Sequence, residues 1–338
     1  ERYARQSNFD LATGRLVLAQ SNSDTLTNTD KNNFSPRIGM AYDLTGKAKH
    51  VIRGGFGIFY FLDRGGINNQ LAQNAPYSGS ASYSYNDGYR ITFSGQGPLN
   101  NNNNTLATQP LPLPTVNTSA AFLNNPLNAD VIAVRPDNKV SNVMQYNIQY
   151  QYQLTDDTAL SIGYVGTRGK NLILYYNLNS TAYSTDTSVP CPISGRTLGN
   201  CYPGLGSVNV RDDLGRSSYN SLQLQLTRRF SAGWQYIASY TYSKTKDNGE
   251  GAFDNTAGGA NYIEQYATSR LDYPHVFSFQ TVYDLPWGRG RKYGSDMNKV
   301  LDFFAGGWSL NAIFRAQSGN AFDVRNNGRL VNLTGSPY

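Results

Sequence analysis

The sequence predicts an all-β protein: an antiparallel up-and-down transmembrane β-barrel, present here as part of a larger wall. Three observations lead there. Long segments alternate apolar and polar residues with a period of two. Their apolar sides carry clusters of aromatics. Short turns alternate with long loops along the chain.

The clearest hairpin is Gly215–Asp247. Leu222, Leu224 and Leu226 share one face, and Ser221, Gln223, Gln225 and Thr227 share the other. Ser-Ala-Gly at 231–233 turns the chain. The return arm places Trp234, Tyr236, Ala238, Tyr240 and Tyr242 opposite Gln235, Ser239, Thr241 and Ser243, with Ile237 the one misfit. Successive Cβ atoms leave a pleat on opposite faces, so this period marks strands. A soluble sandwich would alternate similarly. The length of the arms and the aromatic cluster match the lipid face and girdle of a membrane barrel.

The remaining elements follow in order. Residues 1–33 are polar, with a Thr-Gly turn at 13–14 and an apolar patch at Leu16–Leu18, and read as loop with weak strand content. In the next strand Ile38, Met40, Tyr42 and Leu44 oppose Arg37, Gly39, Ala41 and Asp43. After a short turn at 45–49, Ile52, Phe56, Ile58 and Tyr60 oppose Arg53, Gly55 and Gly57, while Val51 and Phe59 blur the second face. Residues 63–138 show no sustained period and read as the first long loop, rich in Asn, Gly, Ser and Pro. From Val140, Met144, Tyr146, Ile148, Tyr150, Tyr152 and Leu154 face one way and Asn147, Gln149, Gln151 and Gln153 the other. A turn at 155–157 leads to Leu160, Ile162 and Tyr164.

Residues 168–214 form a second long loop, and residues 248–270 a third. Phe277, Phe279, Thr281, Tyr283 and Leu285 then oppose Ser278, Gln280 and Asp284. A possible helical turn near Met297–Phe304 precedes Trp308, Leu310, Ala312, Phe314 and Ala316. This gives about eight strands, each near the ~9–11 residues a tilted strand needs to cross hydrocarbon. Outer-membrane barrels keep short turns on the periplasmic side and long loops outside.

Composition agrees. Only 15% of the 338 residues are charged, while tyrosine alone contributes 25. Mean hydropathy is −0.50, and no apolar run approaches the ~20 residues of a membrane helix. The net charge of +6 is spread along the chain, without the clustering of a nucleic-acid surface. The chain starts at Glu1 and its end is not strand-like, so it reads as a piece of a longer protein.

Four blocks then carry a family resemblance: NNFSPRIGMAYDLTGKAKHVIRGGFGIFY, SSYNSLQLQLTRRFSAGWQYIASYTYSKTKDN, RLDYPHVFSFQTVYDLPWGRGRKY and GGWSLNAIFRAQSGNAF. Together they cover about half the chain, in family order, and resemble the barrel of Oar-like TonB-dependent outer-membrane receptors, often described as carboxypeptidase-regulatory-like domain-containing proteins. The resemblance implies a barrel of about 22 strands around a plug. It also implies an N-terminal region that engages a TonB–ExbB–ExbD complex, with outer-membrane lipid around the wall.

Site expectations follow. Tyr146, Ile148, Tyr150, Leu222, Leu224 and Leu226 are expected on the lipid side. Arg53, Gln149, Gln223, Gln225 and Arg315 are expected on the lumen side, where the arginines, with Arg37, pair with plug carboxylates. Tyr77, Tyr83, Tyr85 and Tyr89 lie in the longest loop and are candidate contacts for an extracellular ligand, since tyrosine gives large contact area at low entropy cost. A mobile shield is the alternative use of that loop.

Cys191 and Cys201 read as a loop-stapling disulfide rather than a zinc site or free thiols. The oxygen-rich 247–255 segment does not match the EF-hand pattern, and a solvated loop is the better reading than a calcium site. Neither His50 nor His275 comes with a nucleophile and an orienting carboxylate, so no catalytic residue, metal or cofactor is expected. A surface adhesin or passive pore on the same wall is the alternative to a receptor. A plug and a TonB box upstream would separate them.

Overall fold

The computed structural model describes residues 5–21, 23–61, 71–78, 119–126, 129–179, 191, 201–249 and 266–322. It also gives the backbone of the two-residue strands Tyr89–Arg90, Leu99–Asn100, Thr105–Leu106, Arg325–Asn326 and Arg329–Leu330. In chain order the main strands are β1 (Ser7–Asp10), β2 (Arg15–Leu18), β3 (Arg37–Asp43), β4 (His50–Tyr60), β5 (Val131–Val134) and β6 (Asn142–Gln153). They continue with β7 (Thr158–Asn177), β8 (Val208–Ser231), β9 (Trp234–Asp247), β10 (His275–Asp284) and β11 (Ser309–Gln317). Two short helices are α1 (Ala120–Asn124) and α2 (Lys299–Ala305).

The chain divides into two units. The larger comprises residues 30–62, 139–175 and 212–338 and is a single wall. Among the described residues its strands lie in the order β3-β4-β6-β7-β8-β9-β10-β11. Apart from β5, which belongs to the other unit, each strand neighbours its predecessor in the chain. This is the predicted meander. β3 and β11 are its edges.

Two-residue turns of this kind need positive φ at both central positions to match strand twist. Ala232 and Gly233 supply it, at φ 50° and 81°, between the paired ends Ser231 and Trp234. The turn before β7 is held differently. The Asp157 carboxylate accepts from Thr155 Oγ1 at 2.6 Å and Thr158 Oγ1 at 3.0 Å, and pairs with Arg228 at 3.2 Å. The Arg229 guanidinium donates to the Asp156 carbonyl at 2.8 Å. The turn is thereby tied to the end of β8.

Hydrogen bonds from Thr155, Ser231 and Thr158, with the Arg228 charge, hold the Asp157 carboxyl down to about 2. A depressed native value means the stabilisation is present above the ordinary carboxylate range and is lost as pH falls through about 2. A carboxyl-carbon NMR titration is expected to place the Asp157 midpoint near 2. A midpoint at the ordinary value of 3.8 would show that these ties are not made.

The smaller unit comprises residues 1–29, 63–138 and 176–211. Sequence reading treats 63–138 and 168–214 as loop and residues 1–33 as loop with weak strand content; the described parts of these segments carry regular structure. β1 and β2 form an antiparallel hairpin. Asp10 shapes its turn, accepting from Ala12 N at 3.0 Å and Thr13 Oγ1 at 2.6 Å. The hairpin's Phe9 and Leu16 join Leu71, Val131, Tyr202 and Val208 in a buried core. The Phe9 and Tyr202 rings meet edge-on at 5.0 Å. β5 pairs in parallel with the first residues of β8, Val208–Arg211.

The second-loop bounds of 168–214 also shift inward. β7 runs 20 residues, to Asn177, and β8 runs 24, from Val208, about twice the membrane-crossing minimum.

Candidate ligand-facing and lipid-facing surfaces

Residues paired across a ladder point to the same side of the sheet. The registers therefore assign every wall residue to a face. On one face, Tyr42, Ile52 and Tyr150 pair in sequence, and Ile162 pairs with Tyr150 in turn. Ile38, Phe56, Tyr146 and Gly166 make a second row. Beyond β7, Leu226, Ala238, Phe279 and Phe314 pair in line, as do Leu224, Tyr240, Phe277 and Ala316. Asn220, on the same side of β8 as the three leucines, accepts from Tyr164 Oη at 2.6 Å and Tyr146 Oη at 3.4 Å. These bonds join the two halves of the apolar face.

All six residues expected to face lipid, Tyr146, Ile148, Tyr150, Leu222, Leu224 and Leu226, thus lie together. None of them is buried, and Leu222 and Ile148 are 43% and 52% exposed. Gly166 sits directly under the Tyr146 ring, where a Cβ would collide with it.

The other face collects the five residues expected to face the lumen. Arg53 pairs with Gln149. Gln225, Ser239, Ser278 and Arg315 form one row across four strands. Gln149, Gly163, Gln223 and Gln225 line a shallow depression of 170 Å³. A larger groove of 450 Å³ involves Thr227, Gln235, Ile237, Gln280, Asn311 and Ile313 near the turn ends. In each, these residues belong to the polar side. Among the described residues, neither Arg53 nor Arg315 has an ion-pair partner. Arg37 instead covers the Phe59 ring at 4.8 Å, and that ring lies over Gly57. Phe59 is therefore covered on one side by Arg37 while remaining 37% exposed.

Both histidines occupy the ends of wall strands on the apolar face. His50 Nδ1 and Tyr150 Oη lie 2.7 Å apart, and the His50 ring stacks on Tyr152 at 4.6 Å. His275 has a similar arrangement, with Nδ1 2.7 Å from Tyr240 Oη and the Tyr242 ring tilted against it at 5.1 Å. Their partners lie on the neighbouring strand, which sequence spacing does not reveal. Imidazole, phenol and indole groups with one polar tip suit a membrane–water boundary.

In the smaller unit, two buried asparagines stand in for strand ladders. Asn8 donates to the Val134 carbonyl at 2.7 Å and accepts from Val134 N at 2.9 Å. Asn74 donates to the carbonyls of Ser7, at 2.8 Å, and Ile132, at 2.6 Å, and accepts from Ile132 N at 2.6 Å. Asn74 also receives the backbone N–H of Tyr77 at 3.1 Å, so Tyr77 sits half-buried on the turn it organises. Tyr83 and Tyr85 lie outside the described residues, and Tyr89 is described by its backbone alone. Cys191 and Cys201 are joined as a disulfide, with Cα atoms 5.6 Å apart.

Of the oxygen-rich 247–255 segment only Asp247–Gly249 is described. There Asn248 Oδ1 accepts from Arg216 N at 2.6 Å and its amide donates to the Leu214 carbonyl at 3.2 Å. That side chain extends the β8–β9 ladder. Past the third loop, Asp272 is buried, accepts from Thr245 N at 2.6 Å and pairs with Lys244 at 3.2 Å, which ties this segment to β9.

A meander of antiparallel strands, apolar and aromatic on one side and polar on the other, defines the wall of a membrane-spanning β-barrel. The chain belongs to the outer membrane beta barrel domain family, whose model matches residues 1–338. Its place is the bacterial outer membrane, as an integral protein.

Among solved structures it is similar to the outer membrane transporter YddB from Escherichia coli, with 10% identity and a TM-score of 0.41 over 74% of this chain and 26% of that one. It is likewise similar to the receptor FpvA of Pseudomonas aeruginosa in complex with a pyoverdine and iron, with 12% identity and a TM-score of 0.41 over 94% and 26%. The alcaligin receptor FauA from Bordetella pertussis follows, with 13% identity and a TM-score of 0.32 over 81% and 29%. The chain spans about a quarter of the length of these structures. No curated protein matches it in sequence.

Proposed function

We propose that this chain is the wall of an Oar-like TonB-dependent receptor that binds an extracellular ligand and takes it up. The observation that carries the reading is the polar face of the wall. Its rows of glutamine and serine hold two guanidinium groups, Arg53 and Arg315, without ion-pair partners among the described residues. Charges on a wall of this kind call for partners from inside the barrel. A plug bearing carboxylates supplies them, and a plug is what a TonB–ExbB–ExbD complex acts on through an N-terminal box. An open pore would leave the same arginines to water and passing anions.

Recognition is assigned to the loops, because rigid scaffolds place specificity on their connections. Tyr77, Tyr83, Tyr85 and Tyr89 are the proposed contacts. The folded core beneath Tyr77 favours a built surface over a shield. Deleting Tyr77–Tyr89 in the full-length protein is expected to abolish surface binding and uptake while heat-modifiable electrophoretic mobility persists. Unchanged uptake would leave this loop as a shield. Uptake that survives collapse of the proton gradient would favour the pore, and binding without uptake in energised cells would favour an adhesin.

A further inference from the structure

The turn-side ends of the wall strands are joined by three short turns and one long connection, Leu285–Trp308, between β10 and β11. This connection is ordered by its own bonds. Tyr293 N donates to the Pro286 carbonyl at 2.9 Å, and Gly288 N donates to the Tyr293 carbonyl at 3.0 Å. Asp302 Oδ1 accepts from Arg289 N at 2.6 Å, and Asn298 caps α2 by accepting from Leu301 N at 2.9 Å. What it does not do is bury its apolar side chains. Val300, Phe303 and Phe304 lie on one stripe of α2 and are 69%, 80% and 68% exposed. Trp308, whose Nε1 donates to the Phe304 carbonyl at 2.8 Å, is 61% exposed.

Trp308 ties α2 to the apolar face of the wall. Leu285 N bonds the Trp308 carbonyl, one step beyond the Tyr283–Leu310 pair. Tyr283 in turn pairs with Trp234, with rings 6.2 Å apart. Trp308, Tyr283 and Trp234 therefore share one face at the turn end of the wall, and the bond from Trp308 to Phe304 brings α2 beside it. Beside it stand Arg289, Arg291, Lys292 and Lys299, all exposed, against Asp296 and Asp302. Asp302 is turned inward by its bond to Arg289 N, and Arg291 reaches Asp284 only at 3.7 Å.

We propose that Leu285–Trp308 is an interfacial anchor. Val300, Phe303, Phe304 and Trp308 enter the periplasmic leaflet, and Arg289, Arg291, Lys292 and Lys299 take anionic phospholipid headgroups there. Aromatics with basic neighbours on an amphipathic segment are the chemistry of a membrane surface, with hydrophobic contact and charge attraction acting together. A protein partner for the same stripe would leave the basic cluster unexplained. The inference rests on the apolar face of the wall meeting lipid.

The test uses the full-length protein in vesicles of phosphatidylcholine with a minority of phosphatidylglycerol. An environment-sensitive fluorophore is placed on one introduced thiol, Ala305→Cys or, separately, Leu224→Cys, the native cysteines being bonded. Quenchers are carried on lipid tails or dissolved in water. Both labels are expected to be quenched by the lipid-borne agent. A spin-labelled phosphatidylglycerol is expected to associate roughly fivefold more than the phosphatidylcholine analogue, a preference lost in Arg289→Gln/Arg291→Gln/Lys292→Gln.

A water-quenched label at 305 beside a lipid-quenched label at 224 overturns the anchor alone and gives the stripe to a periplasmic protein. Water quenching at both overturns the lipid-facing reading of the wall. Equal headgroup selectivity in the native and triple variants overturns the headgroup site.

Discussion

Leu226→Arg is expected to cost the folded barrel about 2–4 kcal/mol, the range for a cation at the midplane of a barrel's lipid face. Leu226 is the right position because its partner Ala238 lies midway between Trp234 and Tyr242, the aromatic ends of β9. The row Leu226–Ala238–Phe279–Phe314 offers an arginine nothing but carbon. Its neighbour provides the control. Gln225 points to the polar side, in the row that ends at Arg315. Gln225→Arg is expected to fold within about 0.5 kcal/mol of the native protein, as ordinary surface substitutions do. Urea titration of the full-length protein in thin bilayers measures both. Equal losses at 225 and 226 would mean that the two faces do not meet different solvents.

The second large effect is expected at Asn74. Asn74→Ala removes three hydrogen bonds at once and leaves the Ile132 amide and the carbonyls of Ser7 and Ile132 without these partners. Each buried group so stranded costs about 1–3 kcal/mol, so the smaller unit is expected to lose on the order of 4 kcal/mol. Asn74→Asp is no rescue, because it keeps the acceptor for Ile132 N but loses both donations and buries a charge. Hydrogen exchange at the Ile132 amide is expected to accelerate several-hundred-fold in either variant, with the wall amides of β9 unchanged. Acceleration in β9 to the same degree would show that the two units open together.

The wall was legible because its strands are covered by different solvents on their two sides, which forces the alternation seen at Leu222–Thr227 and Tyr146–Gln153. The smaller unit has no such signature. Ser7, Asn8 and Phe9 are all buried in succession, so β1 shows no period. The groups that cover it, Asn74 and Val134, lie 67 and 126 residues away. Polar residues that serve as internal ladder bonds read, in sequence, as loop composition. The outer parts of β7 and β8 were missed for a related reason. Gly169 and Gly215 there pack against Leu172, and a strand carrying glycine and paired charges looks like a turn.

For the candidate site, that Arg53, Gln149, Gln223, Gln225 and Arg315 share one face followed from parity alone. Their alignment into rows required the register, and the His–Tyr pairs required knowing which strands are neighbours.

The two histidine–tyrosine pairs have a bearing on where the protein can live. One sits at the turn ends of the strands and the other at the loop ends, and between them most side chains of that face are apolar or aromatic. On β9 the bracket runs from Trp234 to Tyr242, roughly 26 Å along the strand at ~3.3 Å per residue. At the ~40° tilt usual for such strands this is about 20 Å of bilayer normal. The molecule therefore carries its own gauge of membrane thickness, set short. A thick, sterol-like bilayer would drag imidazole and phenol groups into hydrocarbon at both ends, whereas the thin outer membrane accepts the wall without distortion.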